Sequence, residues 1–248
     1  MGLRGVILAG GTGSRLSPHT RTVNKHMVRV GRVPMIYYPI RQLISMGASE
    51  ILIVTGTEHA GSVFQHLGSG EEFGVNFTYR VQEKASGIAD ALRLAQGFVD
   101  GDPFCMMLGD NVFAGPLIGH ARDFHERVYL PGGRARGMVI LCRVPDAHRF
   151  GVAVLNIDGG IDRIIEKPDP PSPSDLAVTG CYFYAGADLF DLAASLQPSA
   201  RGEVEITDLN NELLRRGRLS HAIYTGEWSD AGTHESLERA EEIVRRSL

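Results

Sequence analysis

An apolar run that ends in a glycine-rich loop, close to the N-terminus, constrains the fold of this chain most. Residues 6–9 predict a buried strand, and Gly10, Gly11 and Gly13 follow it, with Arg15 just beyond. Glycines at a strand end let the backbone turn sharply and bring its N–H groups close to phosphate oxygens. Arg15 adds a permanently charged planar group for the same oxygens. The segment therefore predicts a phosphate-binding loop, with an ordinary strand-to-helix turn as the alternative.

Two better-known phosphate loops do not match this segment. A P-loop requires Gly-x4-Gly-Lys-Ser/Thr, and neither Lys-Ser nor Lys-Thr follows these glycines. The dinucleotide fingerprint needs a third small residue where Leu16 stands. Its ribose-binding acid is also missing, because the next apolar run, residues 51–55, ends in Gly56. The glycine pattern therefore excludes a nicotinamide-dependent oxidoreductase.

Strand and helix patterns alternate along the first half of the chain. Strands are predicted at 4–9, 50–55, 75–81, 104–108 and 136–143, and a helix at 87–99. This alternation predicts an α/β fold with an open, mostly parallel, Rossmann-like mixed sheet, helices on both faces, and ligands beyond the carboxyl ends of the strands. In the second half, strands separated by turns are predicted at 151–155, 161–165 and 177–184. We predict a single domain over residues 1–248.

Charge and hydropathy exclude two classes of partner. The chain has a net charge of −4 and no run of Lys or Arg, so no nucleic-acid partner is expected. No apolar run reaches transmembrane length, and the N-terminus enters a core strand within a few residues, so we expect neither a membrane partner nor a signal peptide. Cys105, Cys142 and Cys181 lie in apolar runs without metal-ligand or redox spacing. A cytoplasmic protein with reduced cysteines is predicted.

Four motifs follow one another in a fixed order. They are Leu-Ala-Gly-Gly-x-Gly-x-Arg-Leu at 8–16, Pro-Met-Ile-Tyr-Tyr-Pro at 34–39, Leu-Gly-Asp-Asn at 108–111 and Ser-Ala-Arg-Gly-Glu at 199–203. With them the chain resembles the sugar-1-phosphate nucleotidylyltransferases, and specifically the glucose-1-phosphate thymidylyltransferases, over nearly its whole length. The resemblance implies Mg²⁺-dependent transfer of a nucleotidyl group from a nucleoside triphosphate, dTTP, to a sugar-1-phosphate, glucose-1-phosphate, with release of pyrophosphate. It also implies a nucleotide-binding core mainly in residues 1–115 and a sugar-phosphate-binding part mainly in residues 116–248.

Nucleotidyl transfer brings two anions together, so its site needs cations and hydrogen-bond donors more than a nucleophile of its own. Arg15 and Lys25 are the predicted catalytic residues because they would neutralise charge on the phosphates. For Lys25, a solvated side chain in a polar loop is the alternative. The resemblance assigns nucleotide binding to Leu8, Ala9, Gly10, Gly11, Thr12, Gly13, Gln82 and Gly87. Of these, Gln82 would offer its amide to a pyrimidine edge.

Two aspartates are the predicted Mg²⁺ ligands, Asp110 and Asp230. Mg²⁺ is typically held by one or two carboxylates together with substrate phosphates, although an Asp after a buried strand is also a common helix N-cap. The resemblance assigns sugar-phosphate binding to Gly151, Glu166, Lys167 and Val178. The alternative for Glu166 and Lys167 is a surface ion pair. For Glu203 and Glu205 we favour a structural role, in which they cap and orient the helix that starts near Thr207.

Several positions depart from the family pattern. Many members carry Gln where His26 stands and Tyr where Phe150 stands. These departures leave the transferase chemistry in place, and they leave open the same reaction with UTP, CTP or GTP and an unusual sugar phosphate. A catalytically silent regulatory subunit is a separate alternative. Five retained residues argue against the silent subunit, because a protein without the activity has no chemical need for them: Gly11, Arg15, Lys25, Asp110 and Asp230.

The last predicted helix, 233–246, has apolar residues at helical spacing and can pack on the core or on a neighbouring subunit. Long members of the resembled family carry further C-terminal helices that help to build an effector site between subunits. The sequence therefore leads us to expect a homo-oligomer, a tetramer or dimer, with weak or altered feedback inhibition by the end-product sugar nucleotide.

Overall fold

A nine-stranded mixed sheet forms the centre of the computed structural model, which describes residues 2–11, 13–18, 20, 23–129 and 134–247. The strands are β1 Arg4–Ala9, β2 Arg29–Val30, β3 Val33–Pro34, β4 Glu50–Gly56, β5 Asn76–Gln82, β6 Phe104–Leu108, β7 Val112–Phe113, β8 Gly137–Arg143, β9 Gly151–Leu155, β10 Ile161–Glu166, β11 Leu176–Tyr184, β12 Leu219–Tyr224 and β13 Trp228–Ser229. The helices are α1 Tyr37–Ser45, α2 Ala60–Leu67, α3 Ile88–Arg93, α4 Gln96–Val99, α5 Ile118–Tyr129, α6 Asp188–Ser195, α7 Ile206–Arg215 and α8 His234–Arg246. Two further pairs, β2 with β3 and β7 with β13, lie outside the large sheet.

The first part of the sheet is parallel. Strand β1 lies between β4 and β6, and β5 pairs with β4 on the far side. Because the carboxyl ends of these strands meet at one edge, the residues that follow them come together there. Gly10 follows β1, Gln82 ends β5, and Asp110 comes shortly after β6. The topology therefore places three predicted site residues at the same edge.

The second part of the sheet is mainly antiparallel and is joined to the first through β11. This long strand pairs antiparallel with β6, β8 and β9, while β10 pairs antiparallel with β9. Strand β12 pairs parallel with β8. The predicted mixed α/β sheet is confirmed. The single domain and its division near residue 115 stay predictions, although the sheet runs without interruption from one part to the other.

Both faces of the sheet are covered by helices, as predicted. Along β1, Val6 and Leu8 face a core shared with α3, α4, α6 and α7, whereas Ile7 and Ala9 face a core shared with α1, α2 and α5. This alternation follows from the two-residue period of a strand. A strand covered on both sides is apolar at successive positions, which is why residues 6–9 form an unbroken apolar run.

The predicted strands are all present, with bounds that move by one residue at most. The single helix predicted at 87–99 is wrong, since the segment forms two helices, α3 and α4. At the break, the N–H groups of Leu94 and Ala95 donate to the carbonyls three residues earlier, which tightens the turn. The Arg80 guanidinium, from β5, also donates to the Leu94 carbonyl. This contact removes an acceptor from the helix.

The predicted last helix is confirmed as α8, and its N-terminus explains where it begins. The Thr233 hydroxyl accepts a hydrogen bond from the Ser236 N–H, and the Ser236 hydroxyl accepts one from the Thr233 N–H, which forms a capping box. Buried Ala240 and Ile243 of α8 pack in a third apolar cluster with residues that include Leu16. This packing holds β13, and with it the segment that carries Asp230, beside the glycine loop. No helix in the described part of the chain is long and apolar enough to span a membrane.

Candidate active site

Two cavities meet at the carboxyl edge of the sheet. The first, about 190 Å³, contains five of the predicted nucleotide-binding residues: Leu8, Gly10, Gly11, Gln82 and Gly87. The second, about 230 Å³, contains all four predicted sugar-phosphate-binding residues together with Arg15 and Asp230. Lys25 and Asp110 line both cavities. The structure therefore brings the two predicted sets of residues to adjacent spaces with one ion pair between them.

Two of the predicted nucleotide-binding residues are placed differently. Ala9 is fully buried, and neither it nor Gly13 is among the described residues that line the two cavities. Gly13 has a φ of +64°, and a Cβ there would lie 2.7 Å from the Cβ of Lys25. A side chain at this position would push Lys25 away, so Gly13 supports the lysine. Thr12 lies outside the described residues.

Lys25 and Asp110 form a short ion pair, with 2.6 Å between Lys25 Nζ and Asp110 Oδ2. Lys25 begins a turn of 3₁₀ helix, Lys25–Met27, whose N-cap is Asn24. Asp110 is only 8% exposed. Burial by itself raises the pKa of Asp110, but the Lys25 charge and hydrogen bonds from Lys25 and Asn111 outweigh it and lower the pKa to about 2. The carboxylate is therefore ionised at neutral pH.

Asn111 forms hydrogen bonds with Asp110 and with residues of β11 and β13, and the sequence analysis assigned no role to it. Its Nδ2 donates to Asp110 Oδ1 over 2.9 Å, while its Oδ1 accepts from the Gly180 N–H at 2.8 Å and from Trp228 Nε1 at 2.7 Å. A Cβ on Gly180 would lie 2.5 Å from the Asn111 amide nitrogen, so only glycine leaves room for this contact. The Leu-Gly-Asp-Asn motif was the available signal for Asn111.

His26 is a buried, neutral imidazole beside the ion pair. Burial and the Lys25 charge lower the pKa of His26 to about 3. The Asp110 charge and a hydrogen bond with the Ala9 backbone raise this pKa, but by less. Its Nδ1 lies 2.8 Å from Asn24 Oδ1, an acceptor, so the ring proton is on Nδ1. A Cβ on Gly109 would lie 2.6 Å from His26 Cδ2. The ring therefore packs against the end of β6 and lines the first cavity.

This environment of His26 predicts a pH dependence of stability. The pKa is about 3 in the folded chain and about 6.5 in the unfolded chain, so the unfolded state takes up the proton first as the pH falls below 6.5. Between pH 7 and pH 5 the wild-type protein should lose about 2 kcal/mol of its free energy of unfolding through this group. His26→Gln should remove that loss, measured by urea unfolding with EDTA present. The control is His66→Gln, at an exposed site on α2, and an equal pH dependence in the two variants would contradict the prediction.

Arg149 holds the second predicted metal ligand, Asp230, and was also missed from the sequence. Its Nη2 lies 3.2 Å from Asp230 Oδ1, and its Nη1 lies 2.7 Å from Asp146 Oδ2. Arg239 of α8 pairs with the same Asp146 at 3.2 Å. Burial and the nearby charge of Asp110 raise the pKa of Asp230. The Arg149 charge lowers this pKa, but the raising effects are larger. Such a carboxylate is stabilised when a cation comes close to it.

The carboxylates of Asp110 and Asp230 face the same small space. A Cβ built on Gly232 would lie 2.9 Å from Asp230 Oδ2, 3.5 Å from Asp110 Oδ2 and 3.8 Å from Arg15 Nη2. Among the described residues, no group of three or more His, Cys, Asp or Glu side chains could hold a metal ion. Two carboxylates on one space are the usual protein contribution to a Mg²⁺ site, where phosphates and water supply the other ligands. The donor set fits Mg²⁺ bound together with a phosphate substrate.

The second cavity has Glu166 on its wall, held from two sides. Thr207 Oγ1 donates to Glu166 Oε2, and Arg201 Nη2 donates to Oε1 over 3.1 Å. Lys167 Nζ lies 3.6 Å from the same Oε1. A Cβ on Gly151 would lie 3.1 Å from the Thr207 hydroxyl and 3.5 Å from Glu166 Oε2. A surface ion pair between Glu166 and Lys167 alone would not hold the Glu166 carboxylate at both of its oxygens, as Thr207 and Arg201 do here.

The capping role predicted for Glu205 is wrong. Glu205 is the N-cap residue of α7, but its side chain makes no capping hydrogen bond. Its carboxylate accepts instead from Ser199 at 2.7 Å and from Arg201 at 2.8 Å, because these residues fold back over the start of the helix. Glu203, for which the same role was predicted, lines both cavities.

The chain was compared with protein families, curated proteins and solved structures. The family model described as nucleotidyl transferase matches residues 4–247. A glucose-1-phosphate thymidylyltransferase of Neisseria meningitidis is 40% identical over 98% of this chain and 83% of its own length. One of Xanthomonas campestris pv. campestris is 42% identical over 97% of this chain and 80% of its own length. A crystal structure from Bacillus anthracis, described as a "putative glucose-1-phosphate thymidylyltransferase" in complex with sucrose, has a TM-score of 0.90 and 47% identity and covers 98% of this chain and 95% of that one.

The matched range includes both cavities and the ion pair between them, so the similarity is not confined to the common sheet. The resemblance predicted from the four motifs is confirmed. The chain belongs to the nucleotidyl transferase family, as an enzyme that transfers a nucleotidyl group to a sugar-1-phosphate.

Proposed function

We propose that the protein uses Mg²⁺ to transfer a thymidylyl group from dTTP to glucose-1-phosphate. The observation that carries this proposal is the position of the Lys25–Asp110 ion pair, which lies where the two cavities meet. The triphosphate occupies the first cavity and the sugar phosphate the second. The two reacting phosphates then approach each other beside Lys25.

In the proposed reaction a phosphate oxygen of glucose-1-phosphate attacks the α-phosphorus of dTTP. A new P–O bond forms, the bond to the β-phosphate oxygen breaks, and pyrophosphate leaves. The attacking oxygen is already ionised, so no side chain has to remove a proton. Both reactants are anions, and holding them in line while neutralising their charge is the main task of the protein. Backbone N–H groups of Gly10 and Gly11 bind the triphosphate. The Arg15 guanidinium, on the wall of the second cavity, and Lys25, on the walls of both, neutralise charge on the reacting phosphates.

Asp110 and Asp230 are the residues that would hold Mg²⁺, and their convergence beside Gly232 supports this assignment. When bound, the ion supplies positive charge to the phosphate oxygens. Arg149 keeps Asp230 turned towards the shared space through its 3.2 Å contact. Asn111 does the same for Asp110 through the hydrogen bond from its amide.

The sugar phosphate is recognised in the second cavity. Glu166 accepts hydrogen bonds from sugar hydroxyls, because Thr207 and Arg201 fix its carboxylate at the cavity wall. Lys167 pairs with the sugar phosphate. Gly151 and Val178 line the same cavity, where their backbone contacts the sugar.

The reaction is tested by pyrophosphate release with Mg²⁺, dTTP and glucose-1-phosphate, followed by detection of the nucleoside-diphosphate sugar. Product should form with this pair, and removal of Mg²⁺ by EDTA should stop its formation. A matrix of other nucleoside triphosphates and hexose-1-phosphates run in parallel identifies the preferred pair. If no combination gives product, the proposal fails and the silent regulatory subunit replaces it.

A second candidate is the same reaction with another nucleotide or an unusual sugar phosphate, and Phe150 is the observation that favours it. This side chain lines the second cavity and packs on Trp228, with 4.9 Å between the ring centroids. It offers the sugar no hydroxyl. A higher kcat/KM for a different pair in the same matrix would establish this candidate.

The cellular setting and the assembly are part of the proposal. We place the protein in the cytoplasm as a homo-oligomer, a tetramer or dimer. Its three cysteines are free and buried. Size-exclusion chromatography with light scattering should give a dimer or tetramer mass, and a monomer at micromolar concentration would contradict it.

A further inference from the structure

The Gln82 side chain lines the first cavity, and every hydrogen bond that this side chain makes among the described residues is donated by its amide nitrogen. Gln82 Nε2 donates to the Gly87 carbonyl over 3.2 Å and to Asp90 Oδ2 over 3.1 Å. A longer contact, 3.5 Å, joins it to the Ser86 hydroxyl. Gln82 ends β5, whereas the other three residues belong to the loop and first turn of α3 that follow.

These partners determine which way the amide points. A backbone carbonyl and an ionised carboxylate only accept hydrogen bonds, so the opposite orientation would set Gln82 Oε1 against two acceptors. Asp90 is itself held: the Ser86 hydroxyl donates to its Oδ2, and Arg93 Nη1 lies 3.3 Å from its Oδ1. Burial raises the pKa of Asp90, but the hydrogen bonds from Ser86 and Gln82 and the Arg93 charge outweigh it and lower the pKa. The carboxylate is therefore a permanent acceptor at neutral pH.

The oxygen of the Gln82 amide is then the atom left for a ligand. A Cβ built on Gly10 would lie 3.6 Å from Gln82 Oε1, so this oxygen is next to the glycine loop. Gly10, Gln82 and Gly87 all line the first cavity. Gly87 has a φ of +110°, and a Cβ there would lie 2.4 Å from the Val204 carbonyl. A side chain at this position would strain the backbone that leads into α3 and to Asp90, so the backbone beside Gln82 is fixed as well.

We propose that Asp90 is a positioning residue that sets nucleobase preference, because it holds the Gln82 amide with its oxygen towards the base. A fixed acceptor pairs with a base that has a ring N–H, which thymine and uracil have at N3. Cytosine has an unprotonated N3, which would face the Gln82 oxygen acceptor to acceptor. Leaving such buried groups unpaired weakens binding by about tenfold or more. The inference rests on the proposed function, since it assigns the first cavity to the nucleotide.

The test compares dTTP with dCTP in the wild-type protein and in Asp90→Asn. The wild type should bind dTTP at least about tenfold more tightly than dCTP, measured by calorimetry with Mg²⁺ and without sugar phosphate. D90N replaces one of the two groups that only accept by an amide that can also donate to Gln82 Oε1. The Gln82 amide can then turn and present its nitrogen to the base, at the cost of its hydrogen bond to the Gly87 carbonyl. The ratio of the two Kd values should therefore fall about tenfold or more, with dCTP binding gained and dTTP binding weakened.

Matched variants separate a change in base preference from a general effect of losing an ion pair on the helix surface. Asp123→Asn removes a comparable helix-surface ion pair, with Arg127 on α5, and should leave the ratio unchanged. Asp90→Glu keeps the carboxylate and should retain most of the dTTP preference. If D90N does not fold, Ser86→Ala loosens Asp90 and should lower the ratio less, in the same direction.

Equal Kd values for dTTP and dCTP in the wild type, or an unchanged ratio in D90N and S86A, would overturn the inference. Pyrophosphate release by the wild type is measured separately. Its absence would end the proposed function, while the ratio of Kd values would still decide the role of Asp90.

Discussion

Lys25→Ala is expected to lower the turnover number for pyrophosphate release by about 10²–10³, in the range found when one preorganised electrostatic contact is lost. The side chain is 16% exposed, and its Nζ is fixed by Asp110 at 2.6 Å. It therefore requires little reorganisation when negative charge develops on the phosphates beside it. The loss should appear in kcat at saturating dTTP and glucose-1-phosphate, because the contact matters most in the transition state.

Lys84→Ala is the matched control, since Lys84 is an exposed lysine in the loop after β5, next to the first cavity. Lys84→Ala also removes one positive charge near the first cavity, but it leaves the contact between Lys25 and Asp110 intact. We expect its kcat to stay near the wild-type value. A similar loss in both variants would mean that overall charge attracts the substrates, and wild-type turnover in K25A would remove Lys25 from the catalytic machinery.

The edge of the sheet where the site lies could be predicted from the sequence. Apolar runs marked the ends of β1 and β6 at Ala9 and Leu108, and parallel strands place such ends side by side. The glycine loop and Asp110 were therefore expected at one rim. This inference needs only the period of the strands and the direction of the chain, both of which are local properties.

The residues that hold the site together could not be predicted in this way. Asn111 bonds to Trp228, 117 residues later, and Arg149 bonds to Asp230, 81 residues later. Nothing in the local pattern of a strand end or a 3₁₀ turn specifies a partner so far along the chain. These contacts depend on the packing of α8 and β13 against the glycine loop, which only the folded structure supplies.

The two corrected expectations have the same origin. Helical spacing over 87–99 suggested one helix, but the carbonyl of Leu94 is bound by Arg80 from the neighbouring strand. Glu205 occupies an N-cap position, but Arg201 and Ser199 take up its carboxylate. In each case a side chain from outside the element competes for a group that the local pattern assigns to the helix.

Asp110→Asn is expected to reduce turnover by at least about 10² and to raise the Mg²⁺ concentration needed for half-maximal activity about tenfold or more. The substitution keeps the shape of the side chain and removes its charge. Asp230 then faces the space beside Gly232 as the one remaining carboxylate of the pair. Calorimetry of Mg²⁺ binding in the presence of nucleotide measures the metal directly. Asp188→Asn, which breaks an exposed ion pair with Arg218, is the control and should change neither quantity.

Asp110 also holds Lys25, so the loss of turnover in D110N has two sources that must be separated. If Asp110 acts only through Lys25, the double variant K25A/D110N will be no slower than K25A, and the Mg²⁺ dependence of D110N will equal that of the wild type. If Asp110 binds the metal, D110N will bind Mg²⁺ more weakly than K25A does, and the two turnover losses will combine in the double variant. The first pattern would assign Asp110 to positioning and exclude it as a metal ligand. The second is the one expected, because its Oδ2 faces both the Lys25 ammonium and the space shared with Asp230.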